Sequence, residues 1–183
     1  MIFTWETTTH LNMDNPYHVL ETNRLILQTF QWDLFPELSR LLANPVVHRY
    51  FPHPLNELEA KEFMSRVLDQ QTLNGYSLWA VFKKDNSDFI GLCGLLKQLV
   101  DAIEEVEVGY RLDNAFWGHG FGAEAAAGCV EYARNVLRVP SVISLIRPIN
   151  TPSIRVAEKN GFVPEKETLF CGLPHWVYRK QLI

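Results

Sequence analysis

Three glycines at alternate positions mark the stretch of this sequence best suited to hold a charged ligand. The stretch, residues 116–125, reads FWGHGFGAEA, and its glycines are Gly118, Gly120 and Gly122. Glycine lets the backbone turn tightly and approach a ligand closely. Where such a loop opens a helix, the first N–H groups lack intrahelical partners, and the helix dipole adds positive charge there. The loop therefore predicts a site for phosphate or pyrophosphate.

Two other phosphate-binding loops fit this stretch less well. Gly118, Gly120 and Ala123 match the dinucleotide pattern G-x-G-x-x-G/A. That pattern normally opens a βαβαβ half-domain with an acidic residue about 20 residues later. Here the next strand runs into Arg-Pro-Ile-Asn at 147–150, and only about thirty residues follow it. A P-loop is excluded because no Gly-Lys-Ser/Thr follows.

Hydrophobic periodicity predicts the elements that must position the loop. Alternation of apolar and polar residues predicts strands at 24–29, 77–83, 89–96, 105–112, 141–146 and 175–182. Helical spacing predicts helices at 33–44, 56–72, 122–137 and 153–160. We expect Asp33 to cap the first helix. The order is strand, two helices, three strands, helix, strand, helix and one or two final strands.

The fold class predicted from this order is mixed α+β. The short turns between the three middle strands are typical of an antiparallel meander. The strand–helix–strand crossover over 105–146 implies one parallel pair in the same sheet. On the strand at 105–112, Glu105, Glu107 and Gly109 share one face, and the residues between them share the other.

Composition bounds the kind of protein. The chain has 183 residues, a net charge of −4 and no run of Lys or Arg, which argues against nucleic acid as a partner. Residues 1–20 contain no Lys or Arg and no apolar block, and no apolar run is long enough to span a membrane. We interpret residues 1–20 as an extension that stays loose or adds an edge strand. The three cysteines Cys93, Cys129 and Cys171 indicate reduced thiols in a cytoplasmic protein.

Several motifs together resemble the GNAT superfamily of N-acetyltransferases. The glycine loop resembles that family's pyrophosphate loop, [QR]-x-x-G-x-[GA], matched by Gly120 and Gly122. Trp117 stands where Gln or Arg is usual, as in the Rim-type branch of ribosomal-protein acetyltransferases. RLIL after Thr22, EVGYRL at 107–112 and NTPSIRVAEKNGF at 150–162 resemble further segments of that branch, in the expected order.

The resemblance implies a single acetyltransferase domain over 21–183. It implies a mostly antiparallel central sheet, flanked by helices and splayed between the family's fourth and fifth strands, here 105–112 and 141–146. The cosubstrate would be acetyl-CoA, with no metal. Its pantetheine would lie along the fourth strand and its diphosphate on the loop. The residues implied to bind it are Tyr110, Arg111, Leu112, Trp117, Gly118, His119, Gly120, Phe121, Gly122, Ala123, Asn150 and Ser153.

The resemblance also suggests catalytic residues. Many members carry a Tyr seven residues after the Asn as general acid, but this chain has Ala157 there. In the Rim-type branch a Ser and a Glu are the proposed pair, matched here by Ser153 and Glu165, although Lys166 replaces the Gly that often follows that Glu. Glu107 on the fourth strand is the other candidate general base.

Three functions follow as hypotheses. The first is transfer of acetyl from acetyl-CoA to a primary amine, on a protein N-terminus or a small molecule, by direct attack in a ternary complex. The second, motivated by Ala157, is a catalytically weak acyl-CoA-binding sensor. The third is a dinucleotide-binding oxidoreductase. For the first we expect a monomer or homodimer.

Overall fold

The computed structural model describes residues 15–183, which form one eight-stranded sheet and four α-helices. The strands are His18–Glu21 (β1), Leu25–Thr29 (β2), Leu78–Lys83 (β3), Phe89–Val100 (β4), Ile103–Leu112 (β5), Ser141–Ile146 (β6), Val163–Phe170 (β7) and Leu173–Gln181 (β8). The helices are Phe35–Ala43 (α1), Glu57–Asn74 (α2), Phe121–Tyr132 (α3) and Thr151–Lys159 (α4). No helix within this range is both long and apolar enough to cross a bilayer.

The sheet is mixed, as the crossover predicted. Its strand order is β1-β2-β3-β4-β5-β6-β8-β7, and every neighbouring pair is antiparallel except β5 and β6. β5 and β6 are parallel and share one matched pair, Glu107 opposite Ile143. Because β5 continues to Leu112 and β6 to Ile146 without further pairing, the two strands diverge toward their carboxyl ends.

Two apolar layers hold the helices on opposite faces of the sheet. One face packs against α3 and α4 through residues such as Val108, Ala125 and Cys129. The other face packs against α1 and α2 through residues such as Leu41 and Met64. Small residues on α3, including a completely buried Ala125, let that helix lie close to the sheet.

Local signals account for most helix ends. Asn56 and Glu59 form a reciprocal capping box at the start of α2, and Gly75 ends it in the left-handed conformation, with φ of +76°. The predicted cap by Asp33 is wrong. A 3-10 turn, Trp32–Leu34, precedes α1, no side chain caps that helix, and a proline lies in its first turn.

Two further predictions are refined by the structure. The helix expected over 122–137 is α-helical only to Tyr132 and then continues as a π-helical turn, Ala133–Leu137. Of the predicted extension, His18–Glu21 forms the edge strand β1 paired with β2, whereas residues 1–14 lie outside the described part. All three cysteines are free thiols; Cys93 and Cys129 are buried and Cys171 is exposed.

Candidate active site

The glycine loop lies between the end of β5 and the start of α3. A short turn, Asn114–Phe116, is capped by Asp113 and leads into Trp117. The indole Nε1 of Trp117 donates to the carbonyl of Leu112 over 2.9 Å, which ties the loop back to the strand. Trp117 thus fixes the shape of the loop through its ring nitrogen.

The loop needs glycine at two positions for its backbone path. Gly118 and Gly120 have φ of +81° and +80°, a region that other residues rarely adopt. A Cβ on Gly118 would meet no atom within 4 Å, so the backbone there is open to a ligand. Gly120 is the N-cap of α3, and the N–H groups of the next residues begin the helix without intrahelical acceptors.

A cleft of about 350 Å³ adjoins the loop and the first turns of α3. It is lined by Arg24, His119, Gly120, Ala123, Glu124, Ala127, Lys159 and Asn160. Lys159 makes no ion pair among residues 15–183 and can therefore meet an incoming phosphate. The amide of Asn160 donates to the carbonyl of Ala123 over 3.1 Å and joins the two helices that wall the cleft.

Glu124 anchors this cleft to the first strands, a role that the sequence analysis missed. Its carboxylate accepts from the Thr22 hydroxyl at 2.6 Å and from the backbone N–H and side chain of Arg24 at 2.7 and 2.6 Å. Arg24 also donates to the carbonyl of His119 over 3.1 Å. Burial alone would raise the pKa of Glu124, but these hydrogen bonds and the charge of Arg24 outweigh it and lower that pKa.

Tyr110 and Ser153 contact each other at the opening between β5 and β6. The hydroxyl of Tyr110 donates to the carbonyl of Ser153 over 3.1 Å, and burial raises the pKa of this phenol. The side chain of Asn150 accepts from the Ser153 N–H over 3.3 Å and so caps α4. The start of α4 therefore lies over the diverging end of β5. Ala157, further along the helix, is buried in the apolar core.

Glu107 lies at the point where β5 and β6 separate. It is 9% exposed, and its Oε2 accepts from the side chain of Gln98 over 2.8 Å. Burial raises the pKa of Glu107, against the opposing effects of Gln98, the backbone of Leu145 and the charge of Arg111. A carboxylate with a raised pKa takes up a proton more readily than a solvated one does.

Glu165 lies apart from the other candidate residues. It pairs with the guanidinium of Arg179, which also binds Glu105 through hydrogen bonds of 3.0 and 2.7 Å and the hydroxyl of Ser141 at 2.8 Å. β6 and β8 separate β7, which carries Glu165, from β5. Among residues 15–183, no hydrogen bond joins Glu165 to Glu107 or Ser153.

The side chain of Arg111 occupies the face of β5 opposite to α3, together with His48. Its Nη1 lies 3.0 Å from His48 Nε2, and its guanidinium stacks on the ring of Phe51, 3.9 Å from the centroid. Burial lowers the pKa of Arg111 to about 10. Burial, with the charge of Arg111, lowers the pKa of His48 to about 4, so His48 is neutral. The contact between Arg111 and His48 has only one signal in the sequence. It is the alternation of β5, which places Arg111 on the same face as Glu107.

Comparisons with known proteins agree with this architecture. Residues 24–163 match the acetyltransferase (GNAT) domain family. The YkkB protein of Bacillus subtilis is 31% identical over 88% of this chain and 95% of its own. An acetyltransferase from Agrobacterium tumefaciens superposes with a TM-score of 0.78 at 24% identity, over 88% of this chain and 93% of its own.

A further solved structure with this fold was determined with a ligand. It is RimL, a ribosomal L7/L12 alpha-N-protein acetyltransferase in complex with coenzyme A, with a TM-score of 0.72. The two chains are 19% identical over 90% of this chain and 98% of that one.

The chain therefore belongs to the GNAT acetyltransferase family. It is an acyltransferase, an N-acetyltransferase that depends on acetyl-CoA. The predicted fold class is confirmed, including the parallel pair β5–β6.

Proposed function

We propose that this protein transfers acetyl from acetyl-CoA to a primary amine, by direct attack while both substrates are bound. The observation that carries the proposal is the opening between β5 and β6, which share only the pair Glu107–Ile143, beside the glycine loop. Such an opening leaves backbone groups of β5 unpaired, and an extended amide-bearing arm can bind them as an additional strand would.

The cosubstrate would lie along residues on the α3 side of the opening. Backbone groups of Tyr110, Arg111 and Leu112 would bind the pantetheine, with Asn150 and Ser153 beside it. The diphosphate would lie on the loop from Trp117 to Ala123, where the start of α3 attracts negative charge. The residues assigned to the loop are Trp117, Gly118, His119, Gly120, Phe121, Gly122 and Ala123. Lys159 in the adjoining cleft is a further cation for a phosphate.

We assign the proton transfer to Glu107. Acetyl-CoA supplies an activated acyl thioester, which a neutral amine can attack but an ammonium cannot. Glu107 lies at the apex of the opening, is buried, and has a raised pKa, so it can accept the ammonium proton directly or through a water. A backbone N–H on β5 would stabilise the developing oxyanion, and the Ser153 hydroxyl would donate to the departing thiolate.

Glu165 remains the second candidate base, proposed from the Rim-type resemblance. Its engagement with Arg179 in the described structure favours an ion-pairing role. A Rim-type acceptor, an α-amino group of a protein, stays a proposal supported by the fold shared with RimL.

One observation supports a second function, an acyl-CoA sensor with little turnover. The position of the usual tyrosine acid is held by Ala157, which is buried and carries no titratable group. A sensor would bind acetyl-CoA but would release no thiol with any amine.

The deciding experiment measures binding and turnover separately. Calorimetry with acetyl-CoA tests the cofactor site, and release of free CoA thiol across a broad panel of primary amines and peptides tests transfer. We expect both signals. Binding without thiol release from any amine would identify the sensor, and stabilisation by NADH in place of acetyl-CoA would overturn the family-based assignment of the loop.

A further inference from the structure

Two arginines lie at matched positions on the diverging strands. Arg111 follows Glu107 by four residues on β5, and Arg147 follows Ile143 by four residues, just past the end of β6. Since even offsets along extended strands share a face, both start on the face of the sheet that carries Glu107. That face is the one covered by α1, α2 and the segment between them.

Both arginines contact the segment between α1 and α2. Nη1 of Arg147 lies 3.4 Å from the carbonyl of Tyr50, and Arg111 contacts His48 and the ring of Phe51. The two guanidiniums therefore approach the same four-residue stretch, 48–51, from opposite sides of the opening.

Neither guanidinium has a carboxylate partner within residues 15–183. The Nε atom of Arg147 is buried and has no hydrogen-bond partner. The nitrogen that faces Arg111 belongs to His48, whose other ring nitrogen lies 3.0 Å from the carbonyl of His53. His48 is thus a neutral hydrogen-bond acceptor for Arg111 and adds no negative charge.

The surrounding charges increase the need for an anion. The exposed Arg49 of the same segment adds a third positive charge, with its guanidinium carbon 4.8 Å from the centroid of the Trp117 ring. Within residues 15–183, Glu107 is the carboxylate whose charge acts on Arg111, and it is bonded to Gln98 and buried. Arg111 and Arg147 are half-buried, so the lack of a counter-ion costs free energy, whereas a guanidinium binds a carboxylate through two parallel hydrogen bonds.

We propose that Arg111 and Arg147 bind a carboxylate of the acceptor, so that the acceptor is an amino acid or another amine with a free carboxylate. The inference rests on the proposed acetyl transfer to an amine and specifies its substrate class. The carboxylate would lie on the α1 and α2 side of the opening, across from the cosubstrate, with the amine directed toward Glu107.

Matched pairs of acceptors test the proposal. Each α-amino acid and each ω-amino acid of increasing length, from glycine to 6-aminohexanoate, is compared with its carboxamide. The amide has the lower amine pKa, because it lacks the neighbouring negative charge, and so presents more of the reactive neutral amine. We nevertheless expect kcat/KM for the best acid to exceed that of its amide about tenfold or more.

Variants then assign the preference to the arginines. Arg147→Gln should remove the preference for the acid while the affinity for acetyl-CoA stays unchanged, and Arg147→Lys should keep part of it because the charge remains. Arg66→Gln is the matched control, since Arg66 lies exposed on α2 and makes no ion pair among the described residues. It should behave as the wild type does.

Binding supplies a second measurement that does not depend on turnover. With the protein saturated with CoA, the acid should raise Tm more than its amide, and Arg147→Gln should remove the difference. Equal kcat/KM and equal Tm for acid and amide would overturn the inference while leaving acetyl transfer intact. Loss of acetyl-CoA affinity in Arg147→Gln would instead assign that arginine to the cosubstrate and would also overturn it. Failure of the proposed function would be seen separately, as no thiol release with any amine.

Discussion

Glu107 and Glu165 illustrate how environment separates two residues of the same type. Glu107 is buried between strands and its pKa is raised, whereas Glu165 is partly exposed and paired with Arg179. The guanidinium of Arg179 occupies the Glu165 carboxylate, which leaves that carboxylate less available to an amine. The environment therefore favours Glu107 as the base.

At the residue scale, we predict that Glu107→Gln lowers kcat about 100-fold or more, since it removes the proposed general base. Glu165→Gln should change kcat only a few-fold. Steady-state thiol release at pH 7 measures both, with acetyl-CoA affinity as the control for intact folding. A larger loss in Glu165→Gln than in Glu107→Gln would reverse the assignment.

The pH profile offers a sharper test of the same residue. Gln98 donates to the Glu107 carboxylate and thereby lowers its pKa, against the larger effect of burial. Gln98→Leu removes that donor, so the pKa should rise further and the acidic limb of kcat/KM should move to higher pH. An acidic limb unmoved by this change would show that Glu107 does not set it.

At the element scale, α3 and its loop form one unit. The left-handed turn at Gly120 aims the first N–H groups of α3 outward, and Trp117 holds the preceding residues against β5. The contacts that hold this unit are with the end of β5 and with Arg24. These contacts fix the turn that we propose binds the diphosphate.

Gly120→Ala and Gly172→Ala form a matched pair that separates strain from binding. Both glycines have positive φ, +80° and +73°, and a Cβ at either would meet no atom closer than 3.6 Å. Each alanine should therefore cost about 1–2 kcal/mol of stability. Calorimetry should show weakened acetyl-CoA binding only for Gly120→Ala. Equal affinities in the two variants would remove the loop from the cofactor site.

At the scale of the whole molecule, Glu124 links parts of the chain that are far apart in sequence. Its carboxylate binds Thr22 and Arg24, about 100 residues earlier, and so fastens the turn between β1 and β2 to α3. Arg24 in turn holds the carbonyl of His119 in the loop. The shape of the loop therefore depends on the first strands of the sheet.

We predict that Glu124→Gln lowers the free energy of unfolding by about 2 kcal/mol, because it weakens hydrogen bonds to a charged group. Acetyl-CoA affinity should also fall, since Arg24 and the loop lose their anchor. Glu131→Gln, an exposed change on the same helix, should stay within about 0.5 kcal/mol of the wild type. Urea denaturation and calorimetry measure the two effects. Similar stability losses in both variants would contradict the anchoring role.

Much of the fold followed from local signals in the sequence. Periodicity identified the strands from 24 to 146 and all four helices, because burial of one face imposes a period of two on strands and 3.6 on helices. The capping box at Asn56 and the left-handed Gly75 depend only on residues a few positions apart. The local sequence is therefore enough to indicate both. The turn of residues 171–172 that divides the final segment into β7 and β8 was less clear, because Pro164 and Pro174 interrupt its alternation.

What the sequence by itself determined is the order of elements from β2 to α4, the glycine loop and the resemblance to the acetyltransferase family. What only the tertiary structure decided is which side chains meet: Glu107 with Gln98, Arg111 with His48, and Glu165 with Arg179. The physical reason is that burial and pairing depend on strand register and on helices packed from distant parts of the chain. Spacing along the sequence defines the turn at Gly120. It carries no information about whether Glu107 is buried or whether Glu165 is paired with an arginine.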